Sequence, residues 1–283
     1  MIHSIENEFL KVSAKSFGAE LQSVILKKNN KECLWQGNPE IWGGRSPILF
    51  PNIGRFLDDK FRYNEKEYEM PKHGFARHSE FTLKSFDESS MTFSLCSSDE
   101  TRKCFPFEFE LLITYTIKDN SLTCTDTVIN KTNGEMYFSI GAHPAFNCKI
   151  GDVIEFEKEE NLRTLRIDEN AVLMNETFPV EMTDKNKITI TKDIFNLDAL
   201  ILHDLNSEKL KIKSDDREIV FIFGKAPYLG IWAKPGAPYV CIEPWYGVND
   251  QSDRKESIAQ KLAINKLNEN ETFECSWTAT ITE

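Results

Sequence analysis

Between residues 107 and 128 hydrophobic and polar side chains alternate with period two. Phe107, Phe109, Leu111, Ile113, Tyr115 and Ile117 alternate with Glu108, Glu110, Leu112, Thr114 and Thr116. Asp119 and Asn120 make a turn, after which Leu122, Cys124, Asp126 and Val128 alternate with Thr123, Thr125 and Thr127. Such alternation, with turn residues in the gaps, predicts an antiparallel meander with one face on a core. Asn130 to Gly134 turns again into Met136–Ile140. Shorter runs predict strands near 9–12, 20–26, 153–156, 188–190, 196–202, 229–232 and 239–243. The last run is the cleanest: Phe273, Cys275, Trp277, Ala279 and Ile281 against Thr272, Glu274, Ser276, Thr278 and Thr280. Residues 257–267 have only weak helical spacing and read as irregular or as one short helix. No crossover of the strand–helix–strand kind is evident, and no repeat or linker splits the chain. The expectation is an all-β fold, a large many-stranded antiparallel β-sandwich forming one domain over residues 1–283.

The chain has 283 residues, and all-β sandwiches reach that length as one domain. Twenty phenylalanines suit an interior packed between sheets. A net charge of -11 argues against nucleic acid as the main partner, because phosphate binding wants a basic face. The seven cysteines include no CxxC pair, and residues 1–8 lack the charged-then-apolar pattern of a signal peptide. Reduced thiols in a cytoplasmic protein are therefore expected. No apolar run is long enough to cross a membrane.

Candidate chemistry gathers in three places. Gly141-Ala142-His143-Pro144-Ala145-Phe146-Asn147 closes the strand-like run 136–140. Extended backbone through this stretch would put Tyr137, Ser139, Gly141 and His143 on one face, with small residues leaving room for a ligand. Pro144 restrains its neighbour to extended geometry. His143 suits an acid–base role there, and equally that of a core histidine satisfied by a carbonyl. Pro71 to His78 brings Lys72, His73 and Arg77 together beside Gly74, a cluster suited to an anion or a polyhydroxylated ligand. Glu243 follows an apolar strand and precedes Pro244, Trp245 and Tyr246. It reads as a partly desolvated base at the strand's end beside rings that suit sugar C–H faces, or as a rim glutamate paired with an arginine. Arg55 ends a loop of glycines and prolines and can bind a polar ligand or form a surface ion pair. Asp198 can contact a ligand or stabilise a turn. His203 reads as structural and His78 as a surface residue.

Taken in order, Ser46-Pro47-Ile48-Leu49-Phe50-Pro51 with Gly54-Arg55, His73-Gly74-Phe75-Ala76-Arg77, Gly141-Ala142-His143-Pro144-Ala145-Phe146 and Glu243-Pro244-Trp245 resemble the aldose 1-epimerase (mutarotase) family, in its compact bacterial branch. The resemblance covers essentially the whole chain. It implies a galactose mutarotase-like supersandwich with a sugar in a cleft. It also implies Glu243 as general base and His143 as general acid, on opposite sides of the sugar ring, with the glutamate ionised and the histidine protonated. His73, Arg55, Asp198, Arg77 and Trp232 would bind or surround the sugar. No cofactor and no metal is implied, and the partner is a small-molecule sugar taken by a monomer or homodimer. Other readings remain. A hexose-6-phosphate 1-epimerase would use Arg77, Lys72 and Arg55 on the phosphate. A non-catalytic carbohydrate-binding protein would use the same cleft without turnover. A glycoside hydrolase would use Glu243 and Asp198 as its carboxylate pair.

Overall fold

The computed structural model describes residues 1–252 and 257–283. The predicted meander lies in a nine-stranded antiparallel sheet. Its spatial order is Lys187–Thr189, Val153–Phe156, Lys209–Ser214, Arg217–Ile222, Thr272–Thr282, Ser121–Asn130, Phe109–Lys118, Ser90–Cys96 and Thr82–Phe86. A seven-stranded antiparallel sheet has Tyr239–Tyr246 near its centre. On one side that strand pairs with Tyr228–Trp232, beyond which lie Leu200–His203, Arg163–Ile167 and Leu173–Pro179. On the other it pairs in succession with Ile140–Gly141 and Ala145–Asn147. The N-terminal strands Ile2–Glu6, Leu10–Lys15, Leu21–Leu26 and Lys31–Glu32 form a third sheet.

Side chains of the two large sheets meet in one extended core. Phe146 packs on Phe221, with ring centroids 5.8 Å apart, and Tyr246 on Phe273 at 5.3 Å. Alternation in Phe109–Lys118 and Ser121–Asn130 is strict: every second residue is buried. This burial is what the period-two pattern encodes, since a one-residue slip would turn the whole apolar row to the other face.

Four local expectations change. Phe107 is buried but precedes its strand, which begins at Phe109. The run 136–140 is not one strand: Met136–Phe138 pairs with Asn265–Leu267, while Ile140–Gly141 joins the large sheet. The break falls at Ser139, whose N–H donates to Pro51 rather than to either ladder. Residues 257–267 hold a short 3-10 turn, Ile258–Gln260, and then the strand Asn265–Leu267. Pro244 lies inside Tyr239–Tyr246 rather than ending it, and its carbonyl accepts a hydrogen bond from Ala142. Glu243 is therefore deep in the sheet, not on its rim.

Candidate active site

The register of three strands builds the centre of the site. The Ala142 N–H donates to the Pro244 carbonyl, and the Ile242 N–H to the Pro144 carbonyl. These two bonds bracket position 143 and set it opposite position 243. Between Gly141 and Ala145 these are the only ladder bonds among the described residues, because neither Pro144 nor Pro244 has an N–H to return. The ring of His143 turns onto the carboxyl group of Glu243, with Nε2 3.3 Å from Oε2. Trp245, two residues on and so on the same face, donates its Nε1–H to the same oxygen at 3.2 Å. Gly230 lies across from Glu243 and Gly141 across from Trp245. A Cβ on Gly141 would come 2.8 Å from the indole of Trp245. Glycine on each flanking strand thus leaves room for an indole beside a carboxyl group.

His73 approaches from the loop after Pro71. It has φ +66 and is followed by Gly74 at φ +72, where a Cβ would lie 2.2 Å from the Phe50 carbonyl oxygen. That crowding accounts for the glycine. The Gly54 N–H donates to His73 Nδ1 at 3.1 Å, and the His73 N–H returns a bond to the Gly54 carbonyl at 2.8 Å. With Nδ1 an acceptor, the ring proton of neutral His73 sits on Nε2. Trp42 stacks on His143 at 5.1 Å and 26°, while Trp232 and His73 meet that ring edge-on at 5.6 and 6.3 Å.

These groups line a cleft of about 310 Å³, within the range of small-ligand sites. His143, Glu243, His73, Arg77, Asp198 and Trp232 all reach it, as does Lys72. Arg55 does not. Its guanidinium pairs with Asp59 at 2.5 Å, and only its neighbour Gly54 touches the cleft. The pair is solvent-exposed, and the charge of Arg55 still acts on His73. Asp198 sits in a turn at φ +67, where its Oδ1 accepts from the Ala199 N–H at 2.9 Å, so turn-maker and cleft residue coincide. Trp42, Lys234 and Asn249 also line the cleft and were not singled out from sequence. All three lie outside the strands, in stretches without periodicity.

Burial governs the electrostatics. It pushes the carboxyl group of Glu243 well above its ordinary range, and the nearby charge of Asp198 adds to this. The Trp245 hydrogen bond and the charges of Lys72 and Arg77 oppose the shift. Burial likewise lowers His143 to about 3, with Arg77 adding to it. His73 is held well below its usual range, first by desolvation and then by the charge of Lys72. Burial thus favours the uncharged forms of both groups, a carboxylic acid and an unprotonated imidazole, over the expected carboxylate and imidazolium. Both arrangements contain one proton. They differ only by its transfer across a 3.3 Å contact, and desolvation favours the uncharged one. Cys241, two residues before Glu243 in the strand, brings Sγ within 4.8 Å of the ligating atoms of both partners.

A family model described as aldose 1-epimerase matches residues 1–262. Protein LacX of Lactococcus lactis subsp. lactis, in its plasmid form, is 30% identical over 301 aligned positions, covering 99% of each chain. Among solved structures, a galactose mutarotase related enzyme from Lactobacillus acidophilus superposes with a TM-score of 0.95 at 32% identity. The match covers 100% of this chain and 98% of that one. A galactose mutarotase-like protein from Lactobacillus casei gives 0.95 at 30% identity, covering all of both chains. A shorter match, 35% identical over 160 positions, covers 53% of this chain and 48% of a proposed glucose-6-phosphate 1-epimerase of Escherichia coli K12.

Proposed function

Because this chain belongs to the aldose 1-epimerase family, we propose that it interconverts the α and β anomers of an aldose, with Glu243 and His143 as the proton-transferring pair. The observation that carries the reading is the 3.3 Å contact between His143 Nε2 and Glu243 Oε2 on the wall of a sugar-sized cleft. Ring opening needs one proton removed from the anomeric hydroxyl and one delivered to the ring oxygen. Glu243, as carboxylate, takes the hydroxyl proton. The C1–O bond to the ring oxygen breaks, its electron pair leaves with that oxygen, and the proton on His143 Nε2 goes to it. A C1 aldehyde results. Rotation about the C1–C2 bond and the reverse transfers close the ring on the other face.

The two groups stand within 3.3 Å of one another, and the chemistry accepts adjacent partners. The anomeric hydroxyl and the ring oxygen are both bonded to C1, so adjacent partners can serve both. Sugar hydroxyls entering the cleft supply the polar contacts that an ionised pair lacks in the desolvated resting site. Each proton transfer within hydrogen-bond reach is worth on the order of 10²–10⁴-fold in rate. The indoles of Trp42 and Trp232 offer flat apolar walls to the sugar's C–H faces, and Arg77 offers a donor for a developing oxyanion. Polarimetry on freshly dissolved α-glucose and α-galactose tests the reading, with NMR on glucose 6-phosphate alongside. Acceleration that vanishes in Glu243→Gln supports it. A folded protein that accelerates none of the three sinks it.

A specific observation also favours a phosphorylated substrate. Lys72, Arg77 and Lys234 line the cleft, and none has a carboxylate within ion-pair distance among the described residues. An anionic group on the sugar would meet these cations. It cannot sit on the anomeric oxygen, which must be free to lose its proton, so it would sit elsewhere, as in a 6-phosphate.

A further inference from the structure

We infer that His143, Glu243 and Cys241 also form a binding site for a thiophilic divalent cation such as Zn²⁺, and that the bound cation blocks the pair by occupying its nitrogen and oxygen. The binding stands on its own. The loss of turnover rests on the epimerase reading.

The constellation follows from the strand register. Cys241 and Glu243 are two apart on one strand and face the same way, and His143 is held opposite Glu243 by the bonds that flank it. All three side chains are buried, and their ligating atoms lie within 4.8 Å of one another. Zinc takes nitrogen and oxygen ligands at about 2.0–2.2 Å, so in a tetrahedron two such atoms stand about 3.3 Å apart. The His143 Nε2 to Glu243 Oε2 distance is 3.3 Å, already that edge. Sulfur binds at about 2.3 Å, so the thiol needs to close by roughly an ångström at most, within reach of a small side-chain adjustment.

The environment supports the same conclusion. Glu243 Oε2 is oriented by the Trp245 Nε1–H, a hydrogen bond of the kind that fixes ligating carboxylates. Carboxylate and thiolate together balance a dication, which counters the nearby charges of Lys72 and Arg77. Three protein ligands leave a fourth position on the cleft side, where His143 and Glu243 are reached, for water or a sugar hydroxyl. Cys241 does not line the cleft, and the proton transfers make no use of it. One nitrogen, one oxygen and one sulfur suit Zn²⁺, Cd²⁺ or Co²⁺. Mg²⁺ wants an octahedron of oxygens and does not fit.

Cobalt titration of the purified full-length protein tests the inference, with Co²⁺ as the spectroscopic probe. Wild type should show the visible bands of tetrahedral Co²⁺ and a sulfur-to-cobalt charge-transfer band, both removed by Zn²⁺ and unaffected by Mg²⁺. Zn²⁺ should inhibit anomer conversion, and a chelator should restore it. Cys241→Ala and the near-isosteric Cys241→Ser should keep anomer conversion. Both should lose the charge-transfer band and need at least about tenfold more Zn²⁺ for half-inhibition. Absence of the thiolate band in wild type overturns the site, as does equal Zn²⁺ sensitivity in wild type and both cysteine variants. A thiolate band in a protein with no epimerase activity upholds the metal site and overturns the epimerase reading alone.

Discussion

Gly230 faces Glu243 across two paired strands, and a Cβ at that glycine would come 2.9 Å from the indole of Trp245 and 3.2 Å from the Glu243 Cβ. The missing side chain is what allows a buried carboxyl group and its indole donor to lie side by side. Gly230→Val should therefore push the indole off Oε2. We expect a loss of about 1–3 kcal/mol in stability from overpacking. Anomer conversion should also fall by about tenfold or more, as the hydrogen bond that favours the carboxylate form of the proposed base is lost. Chemical denaturation and polarimetry read the two effects. A variant with unchanged turnover would show that the indole contact does not matter to the proposed base.

Substitutions of the proposed acid and base form the second prediction. Glu243→Gln keeps the shape and the Trp245 acceptor but cannot take a proton, and His143→Ala removes the donor and leaves the Trp42 face open. Each should lower turnover by at least about 100-fold. Because the residues act as one proton-sharing pair, the double variant should cost little more than either single one. Additive losses would mean that the two side chains work independently.

The antiparallel meander was legible in sequence because its two faces have different solvents, so alternation in composition records alternation in burial. His143, Glu243 and His73 stood out in sequence because each sits beside a proline or glycine that disturbs the local pattern, and Arg77 because it falls in the same short stretch as His73. Other parts were hidden for physical reasons. Leu173–Pro179 exposes most of its side chains and so carries no clean period. Trp42 lies in a turn-rich loop, and only the tertiary fold lays it on the ring of His143. For Arg55 the sequence left ligand contact and a surface ion pair both open, because it shows a charge and not its partner, here Asp59 at the end of a short 3-10 turn. The side-by-side pair was beyond any local pattern, since it depends on two hydrogen bonds between segments a hundred residues apart.

The cations of the cleft give a third prediction. If the substrate carries a phosphate, Lys234→Ala and Arg77→Ala should each raise KM for glucose 6-phosphate by roughly 10-fold or more, the worth of a charge-assisted hydrogen bond of about 1.5–3 kcal/mol. Their effect on KM for free glucose should be several-fold smaller. Steady-state NMR assays on both sugars separate the cases. Equal effects on the two substrates would remove the phosphate reading while leaving the epimerase reading in place.

Asp126 provides the fourth prediction, away from the cleft. It is buried in the nine-stranded sheet, where it accepts from the Cys124 thiol at 3.4 Å and has Tyr115, Cys275 and Tyr246 around it, with no cation among them. Burial raises its carboxyl group from an ordinary 3.8 to about 7. A raised acid favours the folded state only while it is protonated. Below about pH 4 both folded and unfolded chains hold the proton, and the stability from this group is complete. As pH rises the unfolded chain ionises first, and stability falls by about 1.4 kcal/mol per unit until the folded carboxyl group also ionises near 7. The loss levels off above that, at no more than about 4 kcal/mol. Other carboxylates, such as Glu110 and Glu155, are lowered by lysine partners and act in the opposite sense. The test is therefore the difference between wild type and Asp126→Asn in urea denaturation from pH 4 to 8. Asparagine can add a constant offset by burying an amide, but it cannot titrate, so the slope of the difference carries the information. We expect wild type to lose stability relative to the variant between pH 4 and 7 and to run parallel to it above. Parallel curves over the whole range would mean that Asp126 ionises inside the fold as readily as outside it.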